Sequence, residues 1–139
     1  MPAKQIKPTT PSSTQSLLKE KADKLIEDII KSKHVQSASI TNDHNYIADI
    51  YSKWYRNNFY FCAIYNSPSA NAIYPSFETK FARMEYVADN TFNLAYMRYT
   101  GKWFEVSQGI SLDECLKLIE EDPIFMPWWS AEQLPDHPF

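Results

Sequence analysis

Residues 80–107 read KFARMEYVADNTFNLAYMRYTGKWFEVS. Asp89-Asn90 and Thr100-Gly101 each separate runs with a period of two, as two-residue hairpin turns do. Those turns set a register for three strands. Arg83 lies opposite Tyr96, Met84 opposite Ala95, and Ala82 opposite Met97. Across the second turn Met97 meets Phe104, Ala95 meets Val106, Arg98 meets Trp103, and Tyr96 meets Glu105. One face then collects Ala82, Met84, Tyr86, Ala95, Met97, Phe104 and Val106. The other collects Arg83, Glu85, Leu94, Tyr96, Arg98, Trp103 and Glu105. A slip of one residue would mix the two sets, so their separation supports the turns.

Downstream, Ser111-Leu-Asp-Glu114 is a capping box whose Ser and Glu satisfy each other's free backbone N–H groups. Leu112, Cys115, Leu116, Leu118 and Ile119 form the buried side of the helix it opens. Asp122-Pro123 ends that helix, because proline disfavours helical geometry in the residue before it. Residues 124–139 hold Phe125, Met126, Trp128 and Trp129 among prolines, and read as an irregular arm docked on the domain or on a partner. Upstream, Phe59 to Tyr65 is a nearly continuous apolar run of strand length, followed by a turn-rich loop over 66–76. Residues 43–57 fit a helix, with Tyr46, Ile47, Ile50, Tyr51, Trp54 and Tyr55 on one side, although their aromatic content favours a strand. Over 15–33, Leu17, Leu18, Ala22, Leu25, Ile26, Ile29 and Ile30 recur every three or four residues, an amphipathic helix. Residues 1–13 read as a flexible tail.

The composition excludes several functions. With only 2 glycines among 139 residues, the chain has no Gly-rich phosphate loop, which needs two or three close together. Fourteen basic against 17 acidic residues give a net charge of −3, far from the basic excess of a generic DNA binder. No stretch approaches the roughly 20 apolar residues of a membrane helix. Met1 to Ser16 lacks the apolar core of a secretory signal. Cys62 and Cys115, each among apolar neighbours, read as free buried thiols in a reducing cytosol.

The stretches Phe81-Ala-Arg-Met-Glu-Tyr86 and Phe92-Asn-Leu-Ala-Tyr-Met-Arg-Tyr-Thr-Gly-Lys-Trp103 resemble a family of small bacterial domains of unknown function. In that family a similar strand pair ends in Gly-Lys-Trp or Gly-Arg-Trp, and a Leu-rich helix closing in Asp-Pro follows, as Leu112 to Pro123 does here. The resemblance covers about 45 of the 139 residues. It implies strands before the hairpin, where 43–57 reads as a helix, and it carries over no catalytic residue.

The mixed sheet face is the best candidate surface. Arg98 opposite Trp103 suits a cation–π contact, with Arg83, Tyr96 and Glu105 beside it. Arg and exposed aromatics anchor binding hot spots. The competing explanation is that an antiparallel sheet open on one side carries such pairs for its own stability. Single-stranded nucleic acid on the same face, with Lys80, Arg83, Arg98 and Lys102 on phosphates, is disfavoured by the small local charge excess. Catalysis has weak support. His34, His44 and His137 show no metal-ligand spacing, and a His44–Cys62 pair would need a reactive thiol inside a strand. Trp128 and Trp129 either cover an apolar helix face or enter a partner groove.

The resulting expectation is an α+β fold with two N-terminal helices, a short antiparallel β-meander of three to four strands, one C-terminal helix and an irregular arm over 124–139. Residues 14–123 form its single domain. The expected function is a soluble, cytoplasmic, non-enzymatic protein-interaction module using Arg83, Tyr96, Arg98, Trp103, Glu105, Trp128 and Trp129. Neither cofactor nor metal is expected. A protein partner is, and nucleic-acid association and an unrecognised enzyme are the alternatives. A homodimer seam on an apolar face of 43–57 is a further option.

Overall fold

A computed structural model of the chain describes residues 9–35, 45–68, 75–98, 100–125 and 127. Five strands pair antiparallel in chain order: β1 (Tyr46–Tyr55), β2 (Asn58–Asn66), β3 (Ser76–Ala88), β4 (Thr91–Met97) and β5 (Trp103–Ser111). Before them, α1 (Ser12–Leu25) runs through a π turn (Ile26–Ile30) into α2 (Lys31–His34) without interruption. After them comes α3 (Leu112–Glu121), then a 3₁₀ turn (Pro123–Phe125). The fold is α+β, as the sequence implies, with one N-terminal helical rod instead of two helices and five strands instead of three or four.

The π turn follows from the sequence pattern. Thr14, Leu18, Ala22, Ile26 and Ile30 are all buried, so the buried stripe repeats every fourth residue. In an α-helix a step of four residues over-rotates by about 40°. A turn with i→i+5 bonds is wound more loosely and rotates the stripe back onto the sheet. The helix also starts at Ser12, earlier than expected, and Thr10 ahead of it is buried. The Thr10 backbone N–H and hydroxyl both donate to Asn57 Oδ1, at 2.9 and 2.7 Å.

Residues 46–55 form a strand, not the expected helix, and a β-bulge explains the misreading. The register shifts between Ile47 and Asp49, so Ile47 and Ile50, three apart, both point into the core, a spacing that imitates a helix. Beyond the bulge the inward row is Ile50, Ser52 and Trp54. A serine there breaks the apolar alternation, yet Ser52 is buried with its needs met: its hydroxyl donates to Asp23 Oδ1 at 2.6 Å and accepts from Lys19 Nζ at 2.9 Å. With a strand over 46–55, the apolar helix side on which a homodimer seam was expected is not formed.

Asp89-Asn90 does form the turn between β3 and β4, with φ of 49° and 58°. Two successive residues of positive φ are the signature of a type I′ hairpin turn. The register set by that turn does not persist. Ala88 faces Thr91, but Tyr86 faces Phe92, because Val87 is bulged out. From there on Met84 faces Leu94, Arg83 faces Ala95 and Ala82 faces Tyr96. In the next hairpin Gly101, at φ 82°, donates to Arg98 O, and the Arg98 N–H donates to Lys102 O, both at 2.9 Å. That wider loop pairs Met97 with Trp103, Tyr96 with Phe104 and Ala95 with Glu105. One residue of slip on each side turns β4 over: Leu94 and Tyr96 face the core, while Ala95 and Met97 face away.

The helices cover one side of the sheet. Leu18, Ala22, Ile26 and Ile30, with Leu112, Cys115, Leu116 and Ile119 of α3, pack on an inward face built around Phe59, Phe61, Met84, Phe92 and Leu94. Ser111 caps α3 as expected, accepting from Glu114 N at 3.1 Å. Past α3, Phe125 is buried against Tyr96, ring centroids 6.3 Å apart, and the Tyr65 hydroxyl donates to Pro127 O. Trp128 and Trp129 lie outside the described residues.

Candidate functional site: the sheet face opposite the described helices

The side chains that alternate with the core rows point to the other side of the sheet and are absent from the helix-covered core. At the centre of this face is an aromatic and cationic row. Tyr60 on β2 faces Arg83 on β3, and Arg83 faces Ala95 on β4. The small Ala95 leaves room for the Trp103 indole to reach inward from β5. Trp103 comes within 5.9 Å of the Tyr60 ring, and the Arg83 guanidinium lies 5.0 Å from the Trp103 ring. Arg83 Nε is screened from solvent and has no hydrogen-bond partner among the described residues. Lys80 lies 5.7 Å from the Tyr60 ring. Tyr60, Arg83 and Trp103 are half-buried, and three strands hold them in place.

A polar cluster adjoins the row. Lys53 pairs with Glu78 at 2.9 Å and lies 5.7 Å from the Tyr51 ring. Burial alone would raise the Glu78 pKa, but hydrogen bonds from Tyr51, Lys53 and Cys62 outweigh it and hold the group down at about 2. The hydrogen bond to Glu78 lifts Lys53 to about 12. Burial, and then Glu78, push the Cys62 thiol up to about 12. Cys62 is therefore a protonated thiol, unfit as a nucleophile at neutral pH. Its suggested base, His44, lies outside the described residues. The carboxylates Glu85 and Glu105 are on this face but on β3 and β5, with β4 between them. Among the described residues no group of three His, Cys, Asp or Glu side chains could hold a metal ion. No described helix is long and apolar enough to cross a membrane.

Of the residues singled out in the sequence, Arg83, Trp103 and Glu105 come together on this face. Tyr96 does not. It lies on the helix-covered side, packed on Phe104 at 5.8 Å and on Phe125. Arg98 stands beyond the end of β4 with its guanidinium 4.8 Å from the Phe104 ring, so the cation over Trp103 is Arg83 and not Arg98. Both corrections come from the turning over of β4. Tyr60 escaped notice because the run Phe59 to Tyr65 reads as buried throughout, and Tyr51 and Lys53 because 43–57 reads as a helix. A signal was present: Tyr60, Cys62 and Ile64 alternate with Phe59, Phe61 and Ala63, and a tyrosine inside an apolar run marks a face whose outer edge is wet.

No curated protein and no solved structure matches the chain. The strands that the family resemblance implies ahead of the hairpin are β1 and β2. Residues 11–127, which take in the helices and the whole sheet, match the family model described as Domain of unknown function (DUF3024), and the chain belongs to that family.

Proposed function

We propose that this chain is a protein-interaction module whose contact surface is the uncovered sheet face around Tyr60, Arg83 and Trp103. The observation that carries this reading is the Arg83–Trp103–Tyr60 stack, half-buried at the centre of a rigid sheet face on which no described helix packs. Arginine and large aromatics dominate binding hot spots. Strands hold these side chains in place, so little conformational entropy is lost when a partner docks. The charge balance of the face favours protein over nucleic acid. Its cations Lys53, Lys80 and Arg83 are matched by Glu78, Glu85 and Glu105, and phosphate contacts need an excess of cations. Glu105 belongs to the rim of the proposed contact, and Tyr96 and Arg98 fall outside it.

The test compares proteins captured from cell extract by the full chain, by an Arg83→Ala/Trp103→Ala double variant, and by Lys117→Ala on the exposed side of α3. The expected result is a partner retained by the full chain and the α3 control and lost from the double variant. A double variant that melts cooperatively and keeps every partner overturns the proposal. Salt-dependent retention of single-stranded DNA on a filter, abolished in the double variant, would put nucleic acid in its place.

A further inference from the structure

The two edges of the sheet differ in a way that points to a second copy of this chain. The β1 edge is occupied by α1 and, at Lys31, by α2. Lys19 Nζ donates to the Ser52 backbone carbonyl at 2.8 Å, Trp54 Nε1 donates to Gln15 O at 3.1 Å, and Lys31 reaches Asp49 at 3.1 Å. The β5 edge has no such cover among the described residues. The side chain that bonds its backbone from another strand, Asn93 Oδ1 on Gly109 N at 2.9 Å, belongs to β4 on the inner side. Exposed edges invite pairing with another chain unless lysine, proline or bulges blunt them. Within Trp103–Ser111 there is neither lysine nor proline. Register shifts opposite Leu94–Ala95 and Phe92–Leu94 twist only the later part of the strand. The segment Trp103–Glu105 is left regular and open, with Lys102 in the loop before it, and Phe104 within it is 46% exposed.

We infer that β5 pairs antiparallel with β5 of a second copy across a two-fold axis at Phe104, joining the two sheets edge to edge. This inference rests on the strand edge and not on the partner surface proposed above, although the two share Trp103 and Glu105. In an antiparallel pair, residues directly opposite must share a face, so the axis passes through a residue. Centred on Glu105, it sets like charges against each other. Centred on Trp103, it sets Phe104 against Lys102 of the second copy. Centred on Phe104, it buries the exposed ring against its own image and sets each Trp103 beside the other chain's Glu105. A contact of so few residues per copy is small, so the association is weak and depends on concentration.

Sedimentation equilibrium of the full chain, from about 5 to about 500 µM, tests this. The expected result is a monomer–dimer equilibrium. Phe104→Lys should raise its dissociation constant at least about tenfold, and Lys117→Ala, on the exposed side of α3, should leave it unchanged. Phe104→Thr, which keeps strand propensity, serves as a second variant, and thermal melts confirm that all three fold. In parallel, outward amides of residues 103–105 should gain exchange protection as concentration rises. A chain monomeric throughout the range overturns the inference. So does a dimer that Phe104→Lys and Phe104→Thr leave intact, or one that Lys117→Ala weakens.

Discussion

The turning over of β4 can be tested by comparing Leu94→Ala with Met97→Ala. Leu94 is fully buried, opposite Met84 and in the row that runs on to Phe59, both of them also fully buried. Truncating it to alanine removes three carbons, about 2.4 kcal/mol of transfer free energy at roughly 0.8 kcal/mol each. The cavity left behind brings the loss to about 3–4 kcal/mol. For a domain of this size that lowers Tm by roughly 12 °C. Met97, half-buried on the uncovered face, should cost at most about 1 kcal/mol and roughly 4 °C when truncated. The unbulged register reverses the ranking, because it sends Met97 inward opposite Ala82 and Leu94 outward. Urea and thermal unfolding followed by circular dichroism give both values. A Met97→Ala loss equal to or larger than that of Leu94→Ala refutes the bulge at Val87 as the origin of the two faces.

Other expectations follow from single groups. Glu78 is held at about 2 in the folded chain, below the ordinary 4.5, so its ionised form stabilises the fold above about pH 4.5 and that contribution is lost as pH falls toward 2. Glu78→Gln should therefore show a flatter loss of stability in acid than the parent, by less than about 1 kcal/mol because the pair is partly solvated; equal acid slopes would contradict this. Burial holds both thiols near 12, so Cys62 and Cys115 should resist a disulfide reagent at pH 8 until the chain unfolds, and rapid labelling of either would contradict their placement. Ser111→Ala, which removes the acceptor for Glu114 N, should cost about 1 kcal/mol in chemical unfolding, and Ser111→Asp should restore most of it.

Much of this architecture is legible in the sequence, and most of the unread parts share one cause. The amphipathic stripe over 15–33, the apolar run at 59–65, the Asp89-Asn90 turn and the Ser111 cap all report on local geometry, which neighbouring residues determine. The bulges at Ala48 and Val87 do not. Each adds a residue to one strand without a glycine or proline to mark it, and each reverses the facing of whatever lies beyond. The Ala48 bulge made β1 resemble a helix, and Ser52 deepened the resemblance because its partners, Asp23 and Lys19, are distant in sequence. The Val87 bulge exchanged Tyr96 for Ala95 on the candidate surface and moved the cation over Trp103 from Arg98 to Arg83. Arg83, Trp103 and Glu105 were legible because the short stretches 82–86 of β3 and 103–105 of β5, which lie clear of the bulges, keep the faces that alternation assigns them. Tyr60 was not, because its role depends on which side of the sheet the helices cover.

The proposed contact surface is tested most directly by calorimetric titration of a captured partner into the parent chain, Trp103→Ala, and Leu17→Ala on the exposed side of α1. Trp103 at the centre of the contact predicts a loss of at least about 2 kcal/mol, a roughly 30-fold weaker dissociation constant, with Leu17→Ala within about twofold of the parent. A Trp103→Ala chain that binds within about twofold of the parent contradicts the assignment of this sheet face as the interaction surface.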